Sequence, residues 1–599
     1  MNPRRNYKKN KDNYKKQLDD INKKINTFSN IRLIVMIIGI AIILWSYSKQ
    51  TYLTTLFSLV ITLVLFISLI IIHQKFINLK PKIQALYKIN ENGIKRLKGE
   101  WNEFDITGDE FIDEKHNYSW DLDVFGRNSL FQWINQTNTP MGKKKLRDSL
   151  IRPIKNINNI ENRQKAIKEL SSNLEWVQEF IASGMIKNKT NNDEKDLIKW
   201  SKNVIPYFLN GGLNILVKIL PVISIVTLIM PFFIDSFSFI YGIIFISIQI
   251  IIAFINFAKM NDRLESIDSY RKQIKIYEQM INVIEKQEFQ SELLKTLQKE
   301  MYYNKEELAS VQIKKLDKII DMITLRHMQV YILFNLLTLW DYQCTISLES
   351  WKNKYGKNLE RWLDSLGEME ALVSLSTIAY ENPDWVMPAI VKDYKISACE
   401  IGHPLINAQD RVCNNFNFGG RYTSLLITGS NMSGKSTFLR TIGINLVLAY
   451  AGAPVCAKEF YCPIMDIYTS MRIKDDIDNK ISSFYAELLR IKKIIEATNE
   501  GKKVFYLLDE IFRGTNSRDR HIGAKTLIKK LYKDNTLGLV STHDLELADI
   551  ASETNSRLKN YHFQEYYKNN KIYFDYKLHS GVSNTFNAVY LMKEIGIDI

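Results

Sequence analysis

The sequence is poor in cysteine, and its five cysteines are not spaced like a metal site or a disulfide framework. No two of them form a C-x-x-C pair and none lies in a histidine-rich stretch, which argues against a zinc site of the usual kinds. Scattered thiols of this sort favour a reducing compartment such as the cytosol. They are Cys344, Cys399, Cys413, Cys456 and Cys462.

Acidic residues are in the minority, since 65 Asp and Glu stand against 80 Lys and Arg and leave a formal net charge of +15. An excess of positive charge favours polyanionic partners such as nucleic acid or anionic lipid. Lys, Asn and Ile are abundant along the whole chain, so the basicity marks no particular surface. At 599 residues the chain has room for several domains.

Charged residues are missing altogether from residues 33–48, 51–72 and 236–258. Each stretch is close to the ~20 apolar residues that a helix needs to cross a bilayer. A fourth stretch, residues 212–233, contains Lys218 and two prolines. Its apolar residues outweigh the cost of about 3 kcal/mol for a central lysine. We therefore predict four transmembrane helices; the alternative is buried core helices, but those are usually amphipathic.

The four predicted spans form two hairpins, because only the short turns at residues 46–51 and 231–236 separate the members of each pair. All long segments of the chain then lie on one side of the membrane. The first 30 residues carry nine Lys and Arg against three acids, and the positive-inside rule assigns such a segment to the cytoplasm. We expect a multi-pass cell-membrane protein with cytoplasmic domains; the alternative for the basic segment is a nucleic-acid-binding arm.

The remaining sequence changes from helical to mixed character along the chain. Residues 122–170 show helical spacing of apolar residues, and residues 259–328 alternate charged and apolar residues without Pro or Gly, which predicts long, partly coiled-coil helices. From residue 381, short β-rich runs alternate with helices. The predicted segments are a basic tail (1–30), a transmembrane hairpin (31–74), a helical linker (75–115), a helical core (116–205), a second hairpin (206–258), core and lever helices (259–380) and an α/β domain (381–599).

A glycine-rich loop follows the predicted strand at residues 424–428 and precedes a helix that begins near Lys435. It matches the phosphate-binding pattern G-x-x-x-x-G-K-[ST], in which backbone N–H groups and the helix N-terminus surround phosphates. Lys435 is expected to reach the β- and γ-phosphates of ATP, and the Ser436 hydroxyl to bind Mg²⁺. The predicted ATP-binding residues are Gly429, Ser430, Asn431, Met432, Ser433, Gly434, Lys435, Ser436 and Thr437.

Two further predicted strands also end in chemically useful side chains. The apolar run at residues 504–508 leads to Asp509, expected to hold Mg²⁺, and to Glu510, expected to polarise the attacking water. The run at residues 537–541 leads to His543, which can hydrogen-bond a γ-phosphate and report its presence. We predict Lys435, Glu510 and His543 as the catalytic residues.

Together these motifs resemble the MutS family of DNA mismatch repair proteins. Residues 425–457 are similar to that family's phosphate loop and following helix, residues 509–519 to its metal-and-base motif, and residues 541–544 to its switch histidine. Residues 129–170 are similar to its helical core. The resemblance implies a multidomain α and α/β fold, in which a helical MutS-like core and lever domain with transmembrane hairpins precedes a P-loop, ABC-class α/β ATPase domain.

The resemblance also implies a homodimer with shared nucleotide sites. In MutS-like ATPases a serine-rich segment of one subunit completes the pocket of the other, and here Ser482 and Ser483 occupy that place, with Asn516 and Ser517 also facing the partner. The family usually has Gly-Arg before the serine, where this chain has Lys480 and Ile481, so the contact between subunits is expected to be made differently.

Other features depart from the mismatch-sensing members of the family. About 115 residues precede the core, nearly half of them in the first hairpin, and no Phe-x-Glu in a suitable context is visible there. Mismatch reading is therefore not expected. The leading hypothesis is a membrane-anchored, dimeric, MutS-like ATPase that binds DNA. The alternative is an ATP-driven machine acting on a membrane protein or on lipid without DNA.

Overall fold

The computed structural model describes residues 2–185, 194–304, 306–329, 331–472, 483–512, 515–553, 556–568 and 571–582. The chain begins with two very long helices, α1 (Pro3–Ser48) and α2 (Tyr52–Lys98), which pack against each other. A Cβ on Gly39 would lie 2.2 Å from the Thr62 side chain, so the absence of one allows the two backbones to approach closely. The hairpin that they form continues well beyond its apolar part. In this continuation, Phe28 of α1 stacks on Phe76 of α2.

These helices differ from the predicted segment boundaries. The basic residues 3–30 belong to α1, and residues 75–98, predicted as a separate linker, continue α2 until Gly99 ends it with a φ of 80°. The predicted boundaries followed changes in hydropathy, whereas both helices continue because their polar parts still have a packing surface. Tyr7 and Ile21 of α1 and Ile89 of α2 are buried.

A helical core follows, built around one long helix, α15 (Trp340–Glu381), which at 1.5 Å per residue is about 63 Å long. Its first part consists of α3 (Leu130–Ile134), α4 (Pro140–Ile151), α5 (Ile157–Ser172), α6 (Leu174–Gly184) and α7 (Glu194–Lys202). Helices α4, α5 and α7 all pack on α15. Short 3-10 turns lie at Glu100–Glu103, Asp109–Phe111, Pro206–Leu209, Met230–Phe232, Thr324–His327 and Leu545–Ser552.

The second hairpin is inserted between α7 and the rest of the core. It consists of α8 (Gly211–Ile229) and α9 (Phe239–Phe254), and the short α14 (Tyr331–Thr338) packs against both. Among the described residues, α1, α2 and Gly211–Phe232 are long and apolar enough to cross a bilayer, and α9 with the next helix forms a further candidate bent by 64°. The most apolar part of α2 buries none of its side chains within the protein.

The long coiled-coil helices predicted for residues 259–328 are replaced by four shorter helices. They are α10 (Phe257–Asp268), α11 (Arg271–Glu285), α12 (Glu292–Glu300) and α13 (Ala309–Ile323). A tertiary contact holds the break between α11 and α12, because Glu169 of α5 accepts from the backbone N–H groups of Gln290 and Ser291 at 2.7 and 2.6 Å, just before α12 begins. The one very long helix of this part of the core is α15.

The C-terminal part is an α/β domain whose larger sheet has six described strands in the order β10-β9-β4-β8-β7-β6. The five strands from β9 to β6 are parallel, and β10 is antiparallel to β9. These six strands are β4 (Ser424–Thr428), β6 (Asp466–Ser470), β7 (Val504–Asp509), β8 (Thr536–Thr542), β9 (Leu558–Lys568) and β10 (Lys571–Ser580). The three strands predicted from sequence correspond to β4, β7 and β8, and this prediction is confirmed.

Among the described residues, the domain also contains a smaller sheet and three helices. The sheet has four described strands in the order β1-β5-β2-β3. They are β1 (Ala389–Ile390), β2 (Lys395–Ile401), β3 (Asn414–Gly419) and β5 (Glu459–Cys462), and the helices are α16 (Lys435–Tyr450), α17 (Ser483–Asn499) and α18 (Ser517–Lys530). All residues of β4, which lies inside the sheet, are buried, so neither face of this strand is exposed to solvent. This is typical of a parallel sheet covered on both sides.

A buried ion pair joins the first hairpin to the end of α15. Arg96 and Glu381 have side chains only 3% exposed, with Nη2 and Oε1 2.7 Å apart, and the Tyr7 hydroxyl donates to the same carboxylate at 3.1 Å. Burial and the neighbouring carboxylate of Glu381 raise the pKa of Tyr7 well above its ordinary value. The carboxylate therefore connects α1, α2 and α15 where the α/β domain begins.

Replacing Glu381 with Ala should lower the free energy of unfolding by about 3 to 5 kcal/mol, because the Arg96 charge would remain buried without its partner. Chemical denaturation of the full-length protein in detergent measures this. The matched control is Glu100→Ala, which removes a half-exposed carboxylate 3.7 Å from Lys98 and should cost less than about 1 kcal/mol. Equal losses in the two variants would contradict the structural role of the buried pair.

Candidate functional site

The glycine-rich loop, residues 429–437, connects the end of β4 to the start of α16. Gly429 and Gly434 have φ angles of 144° and 103°, which residues with a Cβ rarely adopt, and Met432 also has a positive φ of 67°. Lys435, only 4% exposed, donates from Nζ to the carbonyl oxygens of Gly429 at 2.9 Å and Ser430 at 2.8 Å. The ammonium group therefore lies inside the curve of the loop.

The two acidic residues lie beside this loop, at the carboxyl end of β7. Asp509 accepts a short hydrogen bond from the Ser541 hydroxyl of β8. Glu510 has a φ of 50°, and its backbone N–H donates to the Ser541 carbonyl at 3.0 Å. This left-handed turn brings the Glu510 carboxylate to 3.9 Å from Lys435 Nζ.

His543 joins the acid to the loop. Its Nε2 lies 2.5 Å from Glu510 Oε1, and its Nδ1 lies 3.0 Å from the Gly429 carbonyl oxygen. The imidazole therefore bridges the Glu510 carboxylate and the backbone of the glycine-rich loop. The structure thus brings together Lys435, Glu510 and His543, the three predicted catalytic residues.

The predicted metal ligands lie near the same strand ends. Asp509 closes β7, and Ser436 is the second residue of α16, directly after Lys435. Carboxylate and hydroxyl oxygens are hard donors of the kind that Mg²⁺ takes, with water and phosphate oxygens completing its shell. The donor set of Ser436 and Asp509 therefore fits a magnesium ion.

A pocket of about 650 Å³ opens in front of the loop. Loop residues from Asn431 to Thr437 form one side, and His403, Arg411 and Tyr576 contribute to the others. This volume is in the range of ~300 to 1,000 Å³ that small-molecule sites occupy. Burial, assisted by Arg440 and Arg411, lowers the pKa of His403 to about 4, so the pocket contains a neutral imidazole above that pH.

One residue that lines this pocket, Tyr576, was not among the residues predicted from sequence. Asn414 lines the pocket, but its amide holds the β9–β10 hairpin by donating to the Tyr576 carbonyl at 3.1 Å and accepting from Leu578 N–H at 2.8 Å. Tyr576 has a φ of 53° at a break in the β9–β10 register, and a Cβ on Gly434 would lie 3.1 Å from its ring. No local sequence signal marks this tyrosine.

A second residue that sequence reasoning missed is Glu565 of β9. It is 2% exposed and accepts a short hydrogen bond from the Ser430 hydroxyl, so it fixes the second residue of the glycine-rich loop. An acid in the middle of a strand has no motif around it, and only the pairing of β9 with β4 brings it to the loop.

The residues expected to face a partner subunit are described only in part. Ser482 lies outside the described residues, and Ser483 is the first residue of α17. Asn516 and Ser517 are exposed at the start of α18, where the Asn516 side chain accepts from Asp519 N–H at 2.9 Å. Buried Glu487 of α17 accepts from Phe512 N–H at 2.6 Å, which ties α17 to the turn after Glu510.

Comparison with protein families gives two matches. The model of MutS domain III matches residues 114–376, and that of MutS domain V matches residues 425–597. The DNA mismatch repair protein MutS of Bacillus subtilis is 31% identical over 259 residues, which is 42% of this chain and 29% of the relative. For MutS of Listeria monocytogenes the identity is 30% over 258 residues, again 42% and 29%, and for that of Streptococcus mutans 29% over 265 residues, or 43% and 30%. These alignments span less than a third of each relative.

If Tyr576 stacks on a nucleotide base, replacing it with Ala should weaken ATP binding, because base–aromatic stacking contributes about 1 to 3 kcal/mol, or roughly five- to 150-fold in affinity. Tyr576→Phe should bind nearly as well as the parent. Titration with a fluorescent ATP analogue measures both. Tyr573→Ala on the same hairpin is the control, since Tyr573 is 42% exposed, close to the 44% of Tyr576, but does not line the pocket. Equal effects at the two positions would exclude the stacking role.

Proposed function

This chain belongs to the MutS family, and from that premise we propose that it is a membrane-anchored ATPase that hydrolyses Mg-ATP between two copies of itself. The observation that carries the proposal is the cluster at the glycine-rich loop. Lys435 and His543 both contact the Gly429 carbonyl, and the Glu510 carboxylate lies 2.5 Å from His543 and 3.9 Å from Lys435. A structural turn has no need of a buried lysine, an acid and a histidine at the same point.

Each residue has a separate task in the proposed reaction. Backbone N–H groups of the glycine-rich loop and the Lys435 ammonium bind the phosphates, and Tyr576 stacks on the base. Ser436 and Asp509 would hold Mg²⁺, which neutralises the charge that develops on the phosphates. Glu510 accepts the proton of the attacking water, and His543 holds Glu510 in place through the 2.5 Å contact.

The second subunit is proposed to close this pocket. Asn516 and Ser517 are exposed at the start of α18, which follows Glu510 closely in sequence. Ser483 begins α17, which the contact between Glu487 and Phe512 ties to the turn after Glu510, and Ser482 precedes it in sequence. Dimerisation would then depend on bound ATP, because the nucleotide is part of the interface.

DNA is the proposed ligand of the dimer. The relatives are named DNA mismatch repair proteins, and the net charge of +15 suits salt-sensitive binding to a phosphate backbone. The alternative is a machine that moves a membrane protein or lipid without DNA, and the specific observation in its favour is the exposed apolar surface of both hairpins. Leu53 and Leu63 of α2 are 69% and 55% exposed, and Ile251 of α9 is 64% exposed.

The same exposed surface supports membrane anchoring. Large contiguous apolar surfaces are rare on soluble monomers, and these are helical and long enough to span a bilayer. We propose that four helices anchor the protein in the cell membrane and that the core and ATPase domains are cytoplasmic. Carbonate extraction should then leave the full-length chain in the membrane pellet, and its release as soluble protein would exclude the anchor.

The variant Glu510→Gln should still bind Mg-ATP but hydrolyse it at least about 100-fold more slowly, because the general base is lost while the shape of the side chain is kept. Unhydrolysed ATP should then hold two chains together, which light scattering of the detergent-solubilised protein can detect. Glu500→Gln, a half-exposed acid paired with Lys502 outside the site, is the control and should behave like the parent. A Glu510→Gln protein that binds ATP and stays monomeric would contradict the shared site.

The ATPase rate of the reconstituted protein, measured with duplex DNA, with branched DNA and without DNA, tests whether the protein acts on DNA. We expect DNA to change the rate, and to do so less at high salt, because backbone contacts release counterions. An ATPase rate that DNA does not change at low salt, but that depends on lipid composition, would favour the alternative function on a membrane protein or lipid. The Glu510→Gln variant supplies the background rate for every condition.

A further inference from the structure

A cavity of about 840 Å³ lies at the foot of the second hairpin, where the chain enters α8 and leaves α9. We name it the foot cavity and define it by Trp200, Tyr207, Asn256, Lys259, Asp262 and Arg263, all of which line it. Nothing in the proposed ATPase cycle uses these residues. Their position and chemistry nevertheless form a connected pattern.

The foot cavity lies at the boundary between apolar and charged sequence. Helix α9 ends at Phe254, Asn256 turns the chain with a φ of 59°, and α10 leaves at 64° to α9. The Tyr342 hydroxyl of α15 donates to the Ile255 carbonyl at 2.6 Å and so satisfies the broken helix end. If the hairpin is in a bilayer, this break lies at the depth of the lipid headgroups.

Two cations of α10 face the cavity. Lys259 is exposed and makes no ion pair within the described ranges. Arg263 is partly exposed, and among the described residues one guanidinium nitrogen, Nη1, donates to Glu349 at 3.0 Å, so the other donors can serve a ligand. Asp262 is the single acid on the lining, which leaves the lining with one net positive charge.

The carboxylate behind Arg263 already accepts three hydrogen bonds. Glu349 of α15 is fully buried, and it accepts from Arg263, from the Lys352 ammonium at 2.9 Å and from Ile205 N–H at 2.7 Å. Lys352, also fully buried, lies 5.0 Å from the centre of the Trp200 ring. Two cations sharing one carboxylate hold Arg263 in place and leave positive charge for an anion in the cavity.

The aromatic residues of the cavity suit a membrane interface. Tyr207 is 50% exposed, and it lines the cavity together with Trp200. Tyr and Trp are enriched at headgroup depth, because one end of each ring system is apolar and the other polar. Arginine and lysine beside them are the usual partners of lipid phosphate.

From this arrangement we propose that the foot cavity binds the phosphate of an anionic phospholipid, through Arg263 and Lys259. The inference rests on the membrane-anchoring part of the proposed function. Because Arg263 shares Glu349 with Lys352, a headgroup bound here is connected to the long helix α15 through the ion pair between Arg263 and Glu349. The lipid headgroup can thereby influence α15, the helix that leads to the proposed ATPase domain.

The test measures binding of fluorescent phosphatidylglycerol and fluorescent phosphatidylcholine to the full-length protein in nanodiscs and in mild detergent. Phosphatidylglycerol should bind more tightly. Lys259→Gln and Arg263→Gln should each weaken that preference about fivefold, because each cation near a lipid surface contributes to binding on that scale. Lys259 is exposed and makes no described ion pair, so its replacement leaves the fold intact even if Arg263→Gln does not. Lys357→Gln, an exposed lysine on α15 outside the cavity, is the control and should change nothing.

Four results would overturn the inference. Equal affinity for the two lipids in protein that has entered nanodiscs would do so while leaving the anchor intact, whereas failure to enter nanodiscs would defeat the anchoring proposal itself. Full displacement of the lipid by millimolar inorganic phosphate would assign the site to free phosphate. Competition by duplex DNA that depends on Lys259 and Arg263 would assign it to nucleic acid.

Discussion

The geometry of the α/β domain depends on the parallel pairing of β4, β8 and β7. Leu426 of β4 pairs with Val540 of β8, which pairs with Leu508 of β7, and all three are fully buried. This register brings the carboxyl ends of the strands together at one edge of the sheet, as is usual for ligand sites in such sheets. Lys435, Glu510 and His543 come from three separate parts of the chain, and this register places them close to one another.

Polar contacts between domains connect this edge to the helical core. Arg440 of α16 and Arg472, which follows β6, both pair with Asp123, and Asp121 accepts from Arg490 of α17 at 2.9 Å. On the far side, Arg163 donates to the Ala451 carbonyl at the end of α16 and pairs with Glu368 of α15. A conformational change around the glycine-rich loop can therefore be transmitted to α15 through direct contacts. Helix α15 ends at the buried Glu381, and its first residues pack against the second hairpin.

Much of this edge of the sheet was predictable, because strand ends and the glycine-rich loop are encoded by residues adjacent in sequence. The roles proposed for Lys435, Glu510 and His543 needed only local patterns and the family resemblance. Tyr576 and Glu565 could not be found in this way, since only the pairing of β9 with β4 and the irregular register of the β9–β10 hairpin bring them to the loop. The same limit applies to the core: residues 259–328 have the composition of long helices, and the Glu169 side chain that binds the backbone between α11 and α12 comes from α5. Hydropathy likewise located the apolar hairpins but not the polar continuation of α1 and α2.

The central claim is that a nucleoside triphosphate with Mg²⁺ is bound at the edge formed by β4, β7 and β8. Calorimetric titration of the full-length, detergent-solubilised protein with Mg-ATP tests it most directly, with Lys435→Ala as the comparison. The account predicts saturable binding of one nucleotide per chain and its loss in the variant. A folded parent protein with no affinity for Mg-ATP, or a Lys435→Ala protein that binds it equally well, would contradict the account.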